Sequence, residues 1–204
     1  STFTIIVPTF NEKDNLSRLE SELMKFINST KFKTKVLIIN DGSTDGSKEI
    51  IEKLCNNNNC FKSISFVRNC GLSSALKAGF DLCNSEYIGY IDADLQTSPS
   101  DFHVLLEYVD NYDLVTGYRS NRKDAYLKNI SSLIANGIRN IFTSDGVKDT
   151  GCPLKVIKTD FAKRIPMFKG LHRFLPAMIL LQKGKIIEVP VQHFPRIAGK
   201  AKFG

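Results

Sequence analysis

Apolar residues in this chain come in short unbroken runs separated by stretches with helical spacing. Positions 3–7, 35–39, 63–67, 87–91 and 113–118 are runs of strand length and β-prone composition. Between the first two, Leu16, Leu19, Leu23, Phe26 and Ile27 fall on one face of a helix predicted over 13–27. Gly42-Ser43-Thr44-Asp45 reads as a turn and N-cap for a helix reaching residue 54. A third helix is predicted over 72–82. Ser98-Pro99-Ser100-Asp101 has the form of a capping box with proline at the first helical position, for a helix to residue 109.

Strand and helix therefore alternate, and the strands are apolar on both faces. That pattern predicts an α/β fold with a parallel sheet covered by helices on both sides. Such sheets bind ligands beyond the carboxyl ends of their strands. Polar residues gather at those positions: Asn11-Glu12 after the first strand, Asn40-Asp41 after the second, Arg68-Asn69 after the third, Asp92 and Asp94 after the fourth. Four strands delivering polar groups to one edge carry more weight than any single motif.

After residue 118 the pattern changes. Tyr126, Ile130, Leu133, Ile134, Ile138, Ile141 and Phe142 recur at helical spacing. Asp149-Thr150-Gly151-Cys152 opens a short strand to 157, residues 171–181 form a helix apolar on nearly all faces, and 186–191 a last strand. No repeat, low-complexity tract or linker interrupts the chain, so one domain over 1–204 is expected.

Asp92 and Asp94 raise a question of charge. Two carboxylates one residue apart at the end of a buried strand repel each other unless something positive sits between them. A divalent cation held by oxygen ligands is the simplest partner, and Mg²⁺ and Mn²⁺ both suit an all-oxygen site. A lone DxD is common in acidic loops. Following a strand, with Asp41 after an earlier one, it becomes specific. The expected task is a cation bridging a diphosphate to the protein and neutralising charge on the leaving phosphate. Asp41 would read a base through ring and exocyclic N–H groups, with Asn11 and Glu12 beside the nucleotide.

Composition adds a second asymmetry. The 204 residues are 42% hydrophobic and 24% charged, ordinary for a globular domain, with net charge +7. Residues 119–204 hold 17 Lys and Arg against 5 Asp and Glu, whereas 1–118 hold 11 against 16. A basic second half suits an anion: a diphosphate, a lipid headgroup layer or nucleic acid. No apolar run reaches the ~18 residues of a membrane span, and the start STFTIIVPTF shows no signal peptide. Five cysteines without a CxxC read as reduced thiols of a cytosolic protein.

VPTFNE at 7–12, NDGSTDGS at 40–47, RNCGLSSALKAGF at 68–80 and DADLQ at 92–96 resemble family 2 glycosyltransferases of the GT-A fold. DTGCPLK at 149–155, HRFLP at 172–176 and EVPVQHFPRIAGKAKFG at 188–204 resemble the dolichol-phosphate mannosyltransferase and polyprenyl-phosphate glycosyltransferase subgroup. The resemblance implies a mostly parallel sheet, a nucleotide-binding half over 1–118 and an acceptor half over 119–204. It places Pro8, Thr9, Asn11, Glu12, Asp41, Gly71 and Asp92 at the nucleotide and Asp92, Asp94 and Gln96 at the metal. Arg196 falls where a closing loop meets the donor phosphates, so Asp92, Asp94 and Arg196 are the expected catalytic residues. Arg119, Arg122, Ser131 and Ser132, with Lys202, fall near the acceptor phosphate. The subgroup's last motif is closer to SKYG, where this chain reads Ala201-Lys202-Phe203-Gly204 and lacks the serine hydroxyl. Relatives often carry transmembrane helices beyond this point, which implies work at the cytoplasmic face of a membrane.

The acceptor class follows from an absence. Attack by a sugar hydroxyl needs a general base, usually an acidic pair before the last helix. Between 161 and 187 this chain has no Asp or Glu, leaving His172 as the alternative base. A phosphate monoester needs no base, because its second pKa of about 6 leaves it largely dianionic at pH 7. The expected function is inverting transfer of a hexose from a UDP- or GDP-sugar to a polyprenyl phosphate. Two readings compete: a family 2 enzyme extending a glycan on a hydroxyl, and a non-catalytic nucleotide- or nucleic-acid-binding module. The chain has no P-loop, GxGxxG or RNP-like motif, which counts against the last and against a nucleic-acid partner.

Overall fold

The computed structural model describes residues 1–119 and 147–196. A seven-stranded sheet runs through them in the order β3-β2-β1-β4-β6-β5-β7. The strands are β1 (Thr2–Thr9), β2 (Lys33–Asn40), β3 (Phe61–Ser65), β4 (Tyr87–Tyr90), β5 (Leu114–Arg119), β6 (Lys155–Lys158) and β7 (Ile186–Val191). The helices are α1 (Lys13–Ser29), α2 (Ser47–Asn57), α3 (Leu72–Leu82), α4 (Phe102–Leu106), α5 (Thr159–Lys163) and α6 (Leu171–Leu181).

Alternation along each strand sends side chains to two cores. Phe3, Ile5 and Val7 of β1, with Val36 and Ile38 of β2, pack under Leu16, Leu19, Leu23 and Phe26 of α1 and Phe102 and Leu105 of α4. Ile6 and Ile39 point the other way, against Leu76 and Phe80 of α3 and Leu171, Leu175 and Ile179 of α6. Helix α6 is therefore core on its sheet side. Of its apolar residues only the last, Leu181, is widely exposed, at 75%.

The sheet is mostly but not wholly parallel. Strand β6 runs antiparallel to both β4 and β5, whereas β5 and β7 are parallel. The mostly parallel sheet expected is found, and the reversal of β6 leaves no mark in composition, because burial on both faces makes a strand apolar whichever way it runs. The reversal matters for the site. The carboxyl ends of β1 to β5 and β7 and the amino end of β6 all lie at one edge.

Two local expectations change. Ser98 Oγ accepts from Ser100 N at 3.2 Å, but Asp101 does not close the capping box. Its carboxylate instead accepts from Gln192 N at 2.9 Å, and the first turn is a 3₁₀ turn over Pro99–Asp101. Helix α2 starts at Ser47, two residues after Asp45, whose carboxylate accepts from both Ser47 N and Ser47 Oγ. The amphipathic stretch 126–142 lies outside the described residues.

Candidate active site

Strand β1 has β2 on one side and β4 on the other. The chain moves outward through β2 and β3, then returns across β1 to β4. That reversal opens a crevice between the ends of β1 and β4, the favoured ligand position in open α/β sheets. Glu12, after β1, and Asp94, after β4, face each other there. Arg196 joins them, with Nη2 at 2.5 Å from Asp94 Oδ2 and Nη1 at 3.6 Å from Glu12 Oε1.

The chain after β7 reaches this position as an extended strap. Gln192 N donates to Asp101 Oδ2, and Phe194 N donates to Gln96 O at 2.9 Å. Two residues further, Arg196 meets Asp94. Every second residue is thus tied to the 94–101 loop. Gln96 contributes its main chain to this clamp, and its N–H donates to Asp94 Oδ1 at 3.1 Å.

Asp92 lies on the other side of the same loop and accepts from Tyr90 Oη at 2.8 Å. Burial, and then the negative charge of Asp94, push its carboxyl up to about 6. Leu95, between Asp94 and Gln96, is held at φ +53°, a conformation uncommon for a leucine, while its side chain is buried. The surrounding core imposes that turn, which keeps both carboxylates at the crevice.

On the β2 side, Asp41 is fully buried. Its Oδ1 accepts from Cys70 N at 2.6 Å, and its Oδ2 accepts from Gly71 N and Asn69 Nδ2, both at 2.9 Å. Burial raises its carboxyl above the ordinary aspartate value, and the two main-chain donors offset part of the rise. Asp41 therefore anchors the loop before α3, not the start of α2. Gly42 makes this possible: a Cβ there would fall 2.4 Å from the main-chain carbon of Arg68.

Asn11, at φ +54°, links the β1 and β2 loops. Its N donates to Ser43 Oγ at 2.9 Å, and its Oδ1 accepts from Thr44 N at 2.7 Å. Glu12 N donates to Ser47 Oγ, and its carboxylate accepts from Asn15 Nδ2. Pro8 and Thr9 are buried at the end of β1, where Thr9 O accepts from Asp41 N at 2.8 Å. Thr9, Asn11, Glu12, Asp41 and Gly71 are thus tied by hydrogen bonds into a rim with the loops after β2 and β3.

Arg119, at the end of β5, is paired in fork geometry with Asp149. Nε lies 2.7 Å from Oδ2, and Nη2 lies 2.8 Å from Oδ1. The pair holds the Asp149 carboxyl below and the Arg119 guanidinium above their ordinary values, against the opposing pull of burial. Arg122, Ser131, Ser132 and Lys202 lie outside the described residues. His172, the alternative base, is pushed down to about 4 by burial and by Arg173 and Lys155. It is neutral at pH 7.

Asp149, Lys155 and Glu188 were given no role by the sequence. Asp149 and Lys155 open and close the DTGCPLK motif, but the motif carries no role for either until the fold sets Asp149 against Arg119.

Two carboxylates from one loop and a uniformly oxygen donor set fit a hard divalent cation. Among the described residues no cluster of three or more His, Cys, Asp or Glu converges, so the side chains there would supply only part of a coordination shell. No described helix is long and apolar enough to cross a membrane.

Solved structures share this architecture. Glucosyl-3-phosphoglycerate synthase from Mycobacterium tuberculosis, in complex with Mn²⁺, UDP-glucose and phosphoglyceric acid, superposes with TM-score 0.75 over 96% of this chain and 72% of its own, at 14% identity. A mannosyltransferase from Pyrobaculum calidifontis, in complex with GDP-mannose and Mn²⁺, gives 0.69 over 92% and 54%, at 16% identity. The fold is that of the GT-A glycosyltransferases. In sequence, the chain is 29% identical over 207 residues to dodecaprenyl-phosphate galacturonate synthase of Rhizobium johnstonii, and 29% over 203 residues to undecaprenyl-phosphate 4-deoxy-4-formamido-L-arabinose transferase of Edwardsiella ictaluri. Each alignment takes in 98% of this chain, which spans 61% and 62% of those relatives. The pattern of glycosyl transferase family 2 matches residues 4–165, from β1 through α5. It thereby takes in the rim, the acidic loop and the Arg119–Asp149 pair, and the chain belongs to that family.

Proposed function

We propose that this protein transfers a hexose from a UDP- or GDP-sugar to a polyprenyl phosphate, inverting the anomeric carbon, at the cytoplasmic surface of a membrane. The observation that carries the reading is the switch-point crevice, where the acidic pair Asp92 and Asp94 meets the guanidinium of Arg196. The names of the two relatives support the lipid-phosphate acceptor.

Pro8, Thr9, Asn11, Glu12, Asp41 and Gly71 hold the nucleotide along the rim. Asp41 keeps the 69–71 loop in place through three accepted hydrogen bonds. Asp92 and Asp94, with Gln96, would hold Mg²⁺ or Mn²⁺, which when bound would neutralise charge on the diphosphate. Arg196 is within reach of the same diphosphate and offers a second cation. Arg119, with Arg122, Ser131, Ser132 and Lys202, orients the acceptor phosphate.

The acceptor oxygen forms a bond to the anomeric carbon as the bond from that carbon to the diphosphate oxygen breaks. The electron pair leaves with the nucleoside diphosphate. The acceptor arrives as an anion, so no side chain has to remove a proton. A neutral His172 and the lack of Asp or Glu over 161–187 are consistent with that economy.

The test is a transfer assay with Mn²⁺ or Mg²⁺ and a panel of UDP- and GDP-sugars. Each donor is paired with polyprenyl phosphate, polyprenol or a simple sugar. Product only with the phosphorylated lipid is expected. Product with the sugar or the polyprenol overturns the acceptor assignment, and absence of donor binding overturns the whole reading.

A further inference from the structure

Lys155 is the first residue of β6, between Tyr90 of β4 and Thr116 of β5, and it is 0% exposed. An ammonium taken out of water costs several kcal/mol unless its hydrogen bonds are met. Its Nζ donates to the main-chain oxygens of Thr150 (3.3 Å) and Cys152. Among the described residues no carboxylate forms an ion pair with it, although the charges of Asp149 and Asp92 act on it through space. The buried cation is used to fasten one turn, 149–152.

The same turn is fastened from the opposite side. Glu188 of β7 accepts from Lys148 N at 2.9 Å through Oε2 and from Asp149 N at 3.2 Å through Oε1. Between these two anchors stands Asp149, which takes Nε and Nη2 of Arg119 in a fork. A planar guanidinium gripped at two points has its plane fixed. Three of its five N–H groups remain for other acceptors. The order is thus Lys155 and Glu188, then the turn, then Asp149, then Arg119.

We propose that Lys155, with Glu188 as its counterpart, is a positioning residue that sets the orientation of Arg119 toward the acceptor phosphate. This rests on the lipid-phosphate reading above. It explains why a charge is buried on a central strand at the ligand edge, where an apolar residue of equal volume would pack at no such cost. The donor rim hangs on β1, β2 and β4, and the acceptor grip hangs on β5, β6 and β7.

The experiment compares wild type with Lys155→Met and Glu188→Gln. Methionine matches the lysine stem and removes the donor; glutamine keeps the shape but presents an N–H to one of the two main-chain donors. With polyprenyl phosphate as acceptor, both variants are expected to raise its KM by on the order of tenfold or more, because small misplacements of a binding group are costly. The donor KM is expected to stay within about twofold of wild type. Equal changes in both constants, or no change in the acceptor KM, overturn the proposal. If Lys155→Met does not fold, Glu188→Gln decides alone by the same criterion. A second readout does not depend on turnover. The Arg119 Nε–H resonance, identified by its loss in Arg119→Lys, is expected to shift or broaden in both variants. An unchanged resonance in both overturns the positioning role even if the wild type transfers sugar. A wild type that never uses the phosphorylated lipid overturns the acceptor reading instead, while the resonance still reports on the turn.

Discussion

Arg196 and Asp94 are 102 residues apart in sequence and 2.5 Å apart in space. The contact answers the charge problem posed by the acidic pair: within the protein, the positive group beside Asp94 is a guanidinium. A divalent cation held by Asp94 would compete with it for the carboxylate. Arg196→Gln is therefore expected to tighten Mn²⁺ binding in the absence of nucleotide by roughly fivefold, the equivalent of about 1 kcal/mol for a partly exposed pair. Titration of the free Mn²⁺ electron spin resonance signal measures this. Transfer by the same variant is expected to fall. Weaker Mn²⁺ binding in the variant would show that the guanidinium helps the cation and does not oppose it.

Asp94→Ala is expected to lower transfer by roughly a hundredfold or more while leaving far-ultraviolet dichroism and the melting profile close to wild type. The side chain sits in a loop, and its partners Arg196 and Gln96 N can turn to water. Metal-dependent turnover retained in this variant would remove Asp94 from the metal role.

Asp41→Asn addresses the rim. One amide oxygen cannot accept from all three donors that the carboxylate serves, and the new NH₂ meets another N–H. An unsatisfied buried donor costs about 1–3 kcal/mol. Chemical denaturation is expected to show a loss of that size, accompanied by weaker nucleoside diphosphate binding. A fully stable variant that merely loses nucleotide would mean that the loop is held by something else. The exposed thiol of Cys70 offers a direct probe, since bound nucleotide is expected to slow its alkylation.

His172 gives the protein a pH-dependent term. Its folded value of about 4 lies below the ordinary 6.5, so the unfolded chain binds the proton more tightly. The neutral imidazole's contribution is intact above pH 6.5 and is lost as pH falls from 6.5 toward 4. His172→Gln, which does not titrate, is expected to lose less melting temperature across that interval than wild type. Parallel curves would show that the imidazole is solvated enough to titrate normally.

The sequence by itself determined the elements and their order. Strands β1 and β2, helices α1 and α3 and the ends of α6 and β7 follow from runs and stripes of Ile, Leu, Val and Phe. Burial is a short-range demand that each segment records in its own residues. The same patterning placed Asn11, Glu12, Asp41, Asp92 and Asp94 after strands, hence at one edge. What it could not record is which groups meet across that edge. The reversal of β6 is invisible to composition, because a strand buried on both faces is apolar in either direction. That reversal brings Lys155 and Asp149 to the ligand edge. Arg119 opposite Asp149, Arg196 on Asp94 and Asp41 under the 69–71 loop are pairings between segments 30, 102 and about 30 residues apart. Only the assembled sheet, with its order β3-β2-β1-β4-β6-β5-β7, brings those charges within hydrogen-bonding distance.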